Sequence, residues 1–504
     1  VIFDAASRPF PSKLTTDLVV IGSGAGGMAA AMAAAEKGVQ TLVLEAGEYL
    51  TPRDMSQREE QMFPRLLRDN GSCTTTDRAV KIHQGRGVGG STLHNTNLVK
   101  RIPEAIRDEW TRERGLSRLP PSAWSALYDE VERLLRISEI PRDLWNRHNR
   151  LLEEGCAALG WKWGGLRHNR TGCLGSGFCE VGCRYNAKNN AFKVLLPRLL
   201  EAGGEVLSNC VAVRIEHEGG AARGVSAVAV DPLTRRVLGE VHVTAKRVCV
   251  SASATATPAL LLRSGIRDPA DETGNTLRIH PAVTAAGDFD EPVRAWEGIP
   301  QTCECTELLE LGDPRGHRVW VLPAFAHPMG TSTMVPGHGA VHRALMERYA
   351  HLGVLTAMIH DLTPGRVRPK GALGLDVEYW PGDSDRAELS LGLWACAKAL
   401  FAAGARRVLI PTRAPKVLEP GDDLEWLKSM PIEKGEIDVV AVHPMASVPM
   451  GDDPRRAAVG SDGKHHHTQN LWVADGSLFP SSIGVPPQLS IYAMGLHVGR
   501  ALAT

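Results

Sequence analysis

The chain has 504 residues, enough for two or three domains or one large α/β unit carrying an insertion. Lys plus Arg and Asp plus Glu each total 57, so the formal net charge is zero and an electrostatically driven nucleic-acid partner is not expected. No apolar run approaches the ~18 residues of a transmembrane helix, and ten scattered cysteines do not make a disulfide framework. No signal peptide is recognisable, so a cytoplasmic location is expected; a periplasmic one stays open because the chain starts at Val1 rather than Met.

The first element is a buried strand, Leu18–Ile21, followed by Gly22-Ser23-Gly24-Ala25-Gly26-Gly27. Gly22, Gly24 and Gly27 complete a G-x-G-x-x-G pattern. The first glycine permits the turn, the second lets a pyrophosphate approach, and the third lets helix and strand pack closely. An Ala-rich helix runs from Ala25 to Ala35, and its N-terminus faces the phosphates. A second strand, Thr41–Leu44, ends at Glu45, whose carboxylate can accept from ribose hydroxyls and favours FAD or NAD over NADP.

A second glycine loop, "GRGVGGSTLHNTN", spans Gly85–Asn97. It offers backbone N–H groups with few side chains, which suits contact with a pyrophosphate and a flat ring system. Next comes "GCLGSGFCEVGCRYNAKNN", residues 172–190, with Cys173, Cys179 and Cys183 spaced C-x5-C-x3-C ahead of a helix expected over Ala187–Leu200. Three thiols are one short of a zinc site and one too many for a disulfide. They suit a [3Fe–4S] cluster, or a structural group of thiols. Cys303-Glu304-Cys305 reads as part of a sheet, and His465-His466-His467 as a solvated turn. Trp161, Trp163 and Trp380 suit either a cavity wall or a core.

Three stretches resemble the glucose–methanol–choline (GMC) flavoprotein oxidoreductases. Gly85–Asn97 is similar to the family's first signature, G-R-x-[LV]-G-G-[SG]-[ST]-x-x-N. "SATATPALLLRSGI", Ser253–Ile266, is similar to its second, with Thr257-Pro258 in place of Ser-Pro. "LWVADGSLFPSSIGVPPQLSIYAMGLHVG", Leu471–Gly499, resembles the C-terminal flavin segment. The resemblance implies an α/β fold: a Rossmann-like FAD-binding domain, expected over 13–110, 205–282 and 435–504, with an inserted α+β substrate domain over 111–204 and 283–434. It implies FAD. Arg86 and Gly90 belong to the loop that approaches the cofactor, Ser91 and Asn95 would lie by the flavin, Asp475 and Gly476 by its ribityl–phosphate part, and the strand around Val211 by the adenine. His94 stands where some relatives bond covalently to the flavin, and is otherwise a hydrogen-bonding core residue.

"VAVHPMASVPMG", Val440–Gly451, resembles the family's H-P segment, which makes His443 the expected general base. His327, in "HPMGTSTM", has similar text but lies too far upstream of Gly484. Where relatives read G-V-N-P, this chain has Pro486, so the second catalytic partner is missing; Gln488 is the candidate replacement. The implied reaction is oxidation of a small-molecule alcohol by hydride transfer to flavin N5. Electrons would pass to oxygen, or to a redox protein or quinone. The Cys173–Cys183 loop is similar to that of a family branch whose catalytic subunit holds a [3Fe–4S] cluster. Pro486 keeps a non-redox, lyase-like flavoprotein open as the alternative.

Overall fold

Two large sheets organise the computed structural model, which describes residues 1–7, 12–324 and 326–504. The first is ordered Ile2–Asp4, Glu205–Ser208, Thr41–Leu44, Lys13–Ile21, Val237–Val250, Ala221–Val230, Cys210–Glu218. Leu471–Val473 joins it on Val237–Val250. The short apolar run at Leu18–Ile21 is buried on both faces, as a central parallel strand requires. Registers pair Ile21 with Leu44, Ile21 with Val250, and Val250 with Val473. Four parallel strands therefore end on one line, and the residues after them, Gly22, Glu45, Ser251 and Ala474, meet at one edge. Open α/β sheets bind ligands at such an edge.

Helix Ala25–Ala35 leaves that edge and packs against the C-terminal helix Gln488–Leu502. The two backbones touch. A Cβ on Gly495 would overlap the Gly26 carbonyl and come within 2.8 Å of the Ala29 Cβ. The Ala- and Gly-rich text of both helices is thus a packing requirement of this interface.

The second sheet is ordered Lys416–Leu418, Arg407–Ile410, Ala282–Asp288, Leu352–Ile359, Val319–Pro323, Cys303–Cys305, Trp163–Gly165, antiparallel along this order. Its strands alternate. Val283, Ala285, Val319, Val321, Leu355 and Ala357 join a core with Leu389, Leu393 and Leu400 of helix Asp383–Ala402. Ala282, Thr284, Ala286, Leu322, Val354 and Met358 point the other way, into a cavity. Cys303 and Cys305 lie in this sheet, buried, as expected.

Three sequence readings shift. Val80–Ile82 and Val439–Ala441, in stretches assigned to the FAD domain, pair with the second sheet. The helix expected over Ala187–Leu200 begins at Ala191 with a wide π turn and continues as Leu196–Glu201; Asn190 caps it by accepting from the Lys193 N–H. His465 is buried rather than solvated, and only His467 of that triplet is exposed.

Two outcomes follow. Gly495→Ala should cost about 1–3 kcal/mol by overpacking the helix interface, read from the denaturant midpoint at unchanged slope. Burial also pushes His148, His360 and His465 down from 6.5 to about 4, and His168 further. These rings are neutral in the fold and protonate more readily unfolded, so stability is full above pH 6.5 and declines from there towards 4. Calorimetry should show the melting temperature falling already between pH 6.5 and 5; a flat profile until the carboxylates titrate would overturn this account.

Candidate active site

A cavity of about 1230 Å³ lies between the carboxyl edge of the first sheet and the open face of the second. Most of the residues singled out in the sequence line it: Gly22, Gly24, Ala25, Glu45, Arg86, Gly90, Ser91, His94, Asn95, Val211, His443, Asp475, Gly476 and Gln488. Gly27 does not. A Cβ there would overlap the Gly22 carbonyl, which fits its packing role.

One end is built by the two glycine loops. They touch: a Cβ on Gly90, at φ +55°, would sit 2.8 Å from the Gly24 Cα. Glu45 binds them together. One carboxylate oxygen accepts from the Ser23 N–H and hydroxyl at 3.1 and 2.6 Å, the other from Gly47 and Gly87 N–H at 2.8 and 3.1 Å. Ser23 Oγ in turn accepts from Gly89 N–H. Asp475, fully buried, accepts from Ser253 N–H, Thr257 hydroxyl and both donors of Ser477. It anchors the segment after Val250 to the C-terminal segment, and burial raises its pKa despite these bonds. Arg86 turns its guanidinium away, donating to the Pro64 and Pro232 carbonyls.

Next along the wall are His94 and Asn95. His94 Nε2 and Asn95 Oδ1 are buried without hydrogen-bond partners. Burial pushes His94 down to about 3, so its ring is neutral and its Nε2 uncommitted. Two orphaned polar atoms cost free energy unless a ligand meets them. At Gly24 nothing stands within 4 Å of the missing Cβ. An open glycine turn, two orphaned polar atoms and a deep cavity fit a dinucleotide with a flat ring system.

His443 follows strand Val439–Ala441 and lines the cavity. Burial pushes it down to about 3, leaving a neutral imidazole. Its Nδ1 lies 3.2 Å from Nδ1 of His280, the rings 5.3 Å apart at 83°. Pro486 stands in the wall and contributes no side-chain polar atom. Gln488 does not replace it. Its Oε1 accepts from Asn95 Nδ2 at 2.7 Å, and its Nε2 donates to the Leu98 carbonyl and Asn169 Oδ1 at 3.0 and 3.2 Å. With its amide so engaged, Gln488 orients Asn95. His327 stays out of the cavity lining, stacked on Phe178 at 4.5 Å.

Cys173, Cys179 and Cys183 converge on a separate small space of about 10 Å³, walled also by Arg170 and Lys188. Arg170 approaches the Cys173 sulfur at 3.5 Å, and the Ala187 N–H donates to Cys183 Sγ at 3.3 Å. Lys188, buried, donates to the carbonyls of Leu93, Asn95 and Cys179, tying this pocket to the loop of His94. Neither Arg170 nor Lys188 forms a salt bridge with a carboxylate among the described residues. Burial, with the neighbouring Arg170 adding to it and Cys179, Cys183 and Glu180 opposing it, brings Lys188 down to about 8. The donor chemistry fits an anionic group held by thiolates. The space admits about one water, and no three ligands stand grouped for a metal among the described residues.

Sequence reasoning missed two wall residues and one residue behind the wall. Trp320 lines the cavity, whereas Trp161, Trp163 and Trp380 do not. Arg235, on the hairpin after Val230, reaches the Glu45 end. His280 sits behind His443; its only sequence signal is a His-Pro pair, Ile279-His280-Pro281, like those at His327 and His443.

Comparison with known proteins agrees with this geometry. A GMC oxidoreductase profile matches residues 63–282 and its C-terminal counterpart 362–495, and an FAD binding domain profile matches 17–52. The chain is 34% identical to an uncharacterised GMC-type oxidoreductase of Mycobacterium tuberculosis, over 98% of this chain and 76% of that protein. It is 28% identical to a long-chain-alcohol oxidase of Arabidopsis thaliana, over 96% of this chain and 69% of that one. The crystal structure of pyridoxine 4-oxidase from Mesorbium loti superposes with a TM-score of 0.72 at 18% identity, covering 96% of this chain and 99% of the other. No helix among the described residues is long and apolar enough to cross a membrane. The chain belongs to the GMC oxidoreductase family and is an FAD-binding oxidoreductase of that fold.

Proposed function

We propose that this enzyme oxidises the CH–OH group of an aliphatic alcohol, with His443 meeting the hydroxyl oxygen. The observation that carries this reading is a neutral histidine lining the same cavity as both glycine loops, opposite a sheet face of Ala, Leu, Val and Met. Gly22–Ala25, Glu45, Val211 and Asp475–Gly476 would hold FAD, with His94 and Asn95 beside its ring system. FAD, when bound, supplies the acceptor for a hydride. The chain's own residues do the rest. Ala282, Ala286, Leu322, Val354 and Met358 exclude water from the carbon chain of the substrate, and His443 fixes its oxygen.

The electron acceptor is dioxygen, or a partner protein or quinone. A second element of the proposal concerns the thiol pocket. Two buried cations without a direct salt bridge to a carboxylate among the described residues favour an anionic occupant, and Cys173, Cys179 and Cys183 would hold a [3Fe–4S] cluster there, supplying a one-electron path. The water-sized space requires this loop to open for it.

Two measurements test these elements separately. Under anaerobic conditions a series of aliphatic alcohols should bleach the oxidised flavin band, and His443→Asn should slow the bleaching about 10²–10³-fold with flavin retained. No bleaching by aliphatic, aryl, sterol or polyol alcohols would overturn the alcohol reading. Anaerobically purified protein should contain about three irons per chain with matching acid-labile sulfide and a signal in the oxidised state by electron paramagnetic resonance. Absence of iron removes the cluster and leaves dioxygen as the acceptor to test.

A further inference from the structure

Behind the cavity wall, three groups fix where protons sit. His280 is buried and does not line the cavity. Its Nε2 receives the Gly484 backbone N–H at 2.9 Å. A backbone N–H can only donate, so Nε2 of His280 presents a lone pair. Burial holds the His280 pKa well below the ordinary histidine value, with neighbouring His443 and His360 adding to this, so the ring is neutral. A neutral imidazole with a lone pair on Nε2 carries its hydrogen on Nδ1.

That hydrogen points at Nδ1 of His443, 3.2 Å away. Two ring nitrogens at this distance share one hydrogen, and His280 supplies it. Nδ1 of His443 is therefore the acceptor, and the neutral His443 ring carries its own hydrogen on Nε2. No hydrogen bond engages that Nε2 among the described residues, and it is not closed off from the cavity.

The arrangement is held firmly. The backbone N–H groups of Ile279 and His280 both donate to the Asp361 carboxylate, at 3.0 and 3.2 Å. Ser482, two residues before Gly484, donates to the same carboxylate at 2.9 Å, as does the Tyr379 hydroxyl at 3.0 Å. One buried carboxylate thus sets both ends of the His280–Gly484 bond. Gly484 is itself confined: at φ +74°, an added Cβ would lie 2.5 Å from Leu311 Cδ1. His280 sits at φ +51°, left-handed, directly before Pro281, where extended backbone is preferred. Such a conformation persists only where its surroundings over-determine it.

We infer that His280 is a positioning residue that fixes His443 in its Nε2–H form, so that His443 meets the substrate oxygen as a hydrogen-bond donor rather than as a proton acceptor. This corrects the general-base role expected from the sequence. Acceptance of a proton at Nε2 would require a hydrogen on Nδ1, facing the hydrogen of His280; moving that one to its own Nε2 would set it against the Gly484 N–H. As the carbon gives up a hydride with its electron pair, the hydroxyl proton passes to water in the cavity, and the Nε2–H of His443 stabilises the charge building on oxygen. This consequence rests on the proposed alcohol chemistry; the tautomer does not.

The test is nitrogen-15 NMR of the oxidised holoenzyme labelled at histidine, with the His443 signals assigned by their loss in His443→Asn. The expected pattern is a protonated Nε2 and an unprotonated Nδ1. His280→Asn places an amide donor where Nδ1 stood and tolerates the left-handed backbone, so it should keep that pattern. His280→Gln places its amide at the Nε2 position, keeps Gly484 but loses the donor; His280→Phe loses both. Both should mix the His443 tautomers and lower kcat at least tenfold below His280→Asn, with KM changed less than about threefold. His443 protonated on Nδ1 in the wild type would overturn the inference. So would a folded, flavin-loaded His280→Gln or His280→Phe that keeps both the pattern and kcat. Because the NMR needs no substrate, a failure to find an oxidisable alcohol would sink the proposed function and leave the tautomer result standing.

Discussion

The site depends on one constraint, the common end line of four parallel strands. Lys13–Ile21, Thr41–Leu44, Val237–Val250 and Leu471–Val473 are in register at their carboxyl ends, although they come from the beginning, middle and end of the chain. The segments that follow them are forced into one small volume. At two positions there is no room for a side chain. A Cβ on Gly22 would overlap the Ser251 carbonyl, and one on Gly26 the Ala474 carbonyl. What remains at that edge is backbone, together with two buried carboxylates, Glu45 and Asp475, that hold it in place.

This explains why the nucleotide end was legible in the sequence. Its requirements are local and severe: small residues at fixed offsets, a strand before, a helix after, an acid at the end of the next strand. Physical chemistry leaves few other ways to meet them, so Gly22, Gly24, Glu45 and Gly90 could be read directly. The Glu45 carboxylate was read less completely. It accepts three hydrogen bonds from the two glycine loops and a fourth from Gly47, and three of the four donors are backbone N–H groups whose positions no side-chain pattern announces.

The chemical end was less legible, because its partners are far apart in the chain and their relation is geometric. Gln488 looked available in sequence, two residues beyond Pro486. In three dimensions its amide closes a network with Asn95, Leu98 and Asn169. His280 carried no motif. Its importance comes from a strained backbone angle, a carboxylate 81 residues further on, and a backbone N–H 204 residues away. The three cysteines show the same limit in another form. Their spacing identifies a common loop, but the charges facing it, Arg170 and Lys188, become meaningful only once both are seen to be buried beside the three sulfurs.

Pro486 then takes on a different meaning. A wall that lacks a polar side chain there has fewer groups to hold a substrate oxygen, so in the proposed reaction the placement of the hydrogen on His443 carries more weight. A neutral imidazole can place its hydrogen on either nitrogen, and only one choice presents a donor to the cavity. The backbone of the same C-terminal loop that lost the polar side chain makes the choice, through the N–H of Gly484 acting on His280. The opposite wall imposes nothing comparable. Its strands alternate between a packed core face and a largely aliphatic cavity face, where Ala286, Val354 and Met358 shape the cavity, while the hydrogen-bonded corner lies at the strand ends, His280 just before Ala282–Asp288 and His443 just after Val439–Ala441. In the proposed reaction, side-chain volume on the sheet face would set which alcohol fits, and proton placement at the ends of the same sheet's strands would set how its oxygen is held.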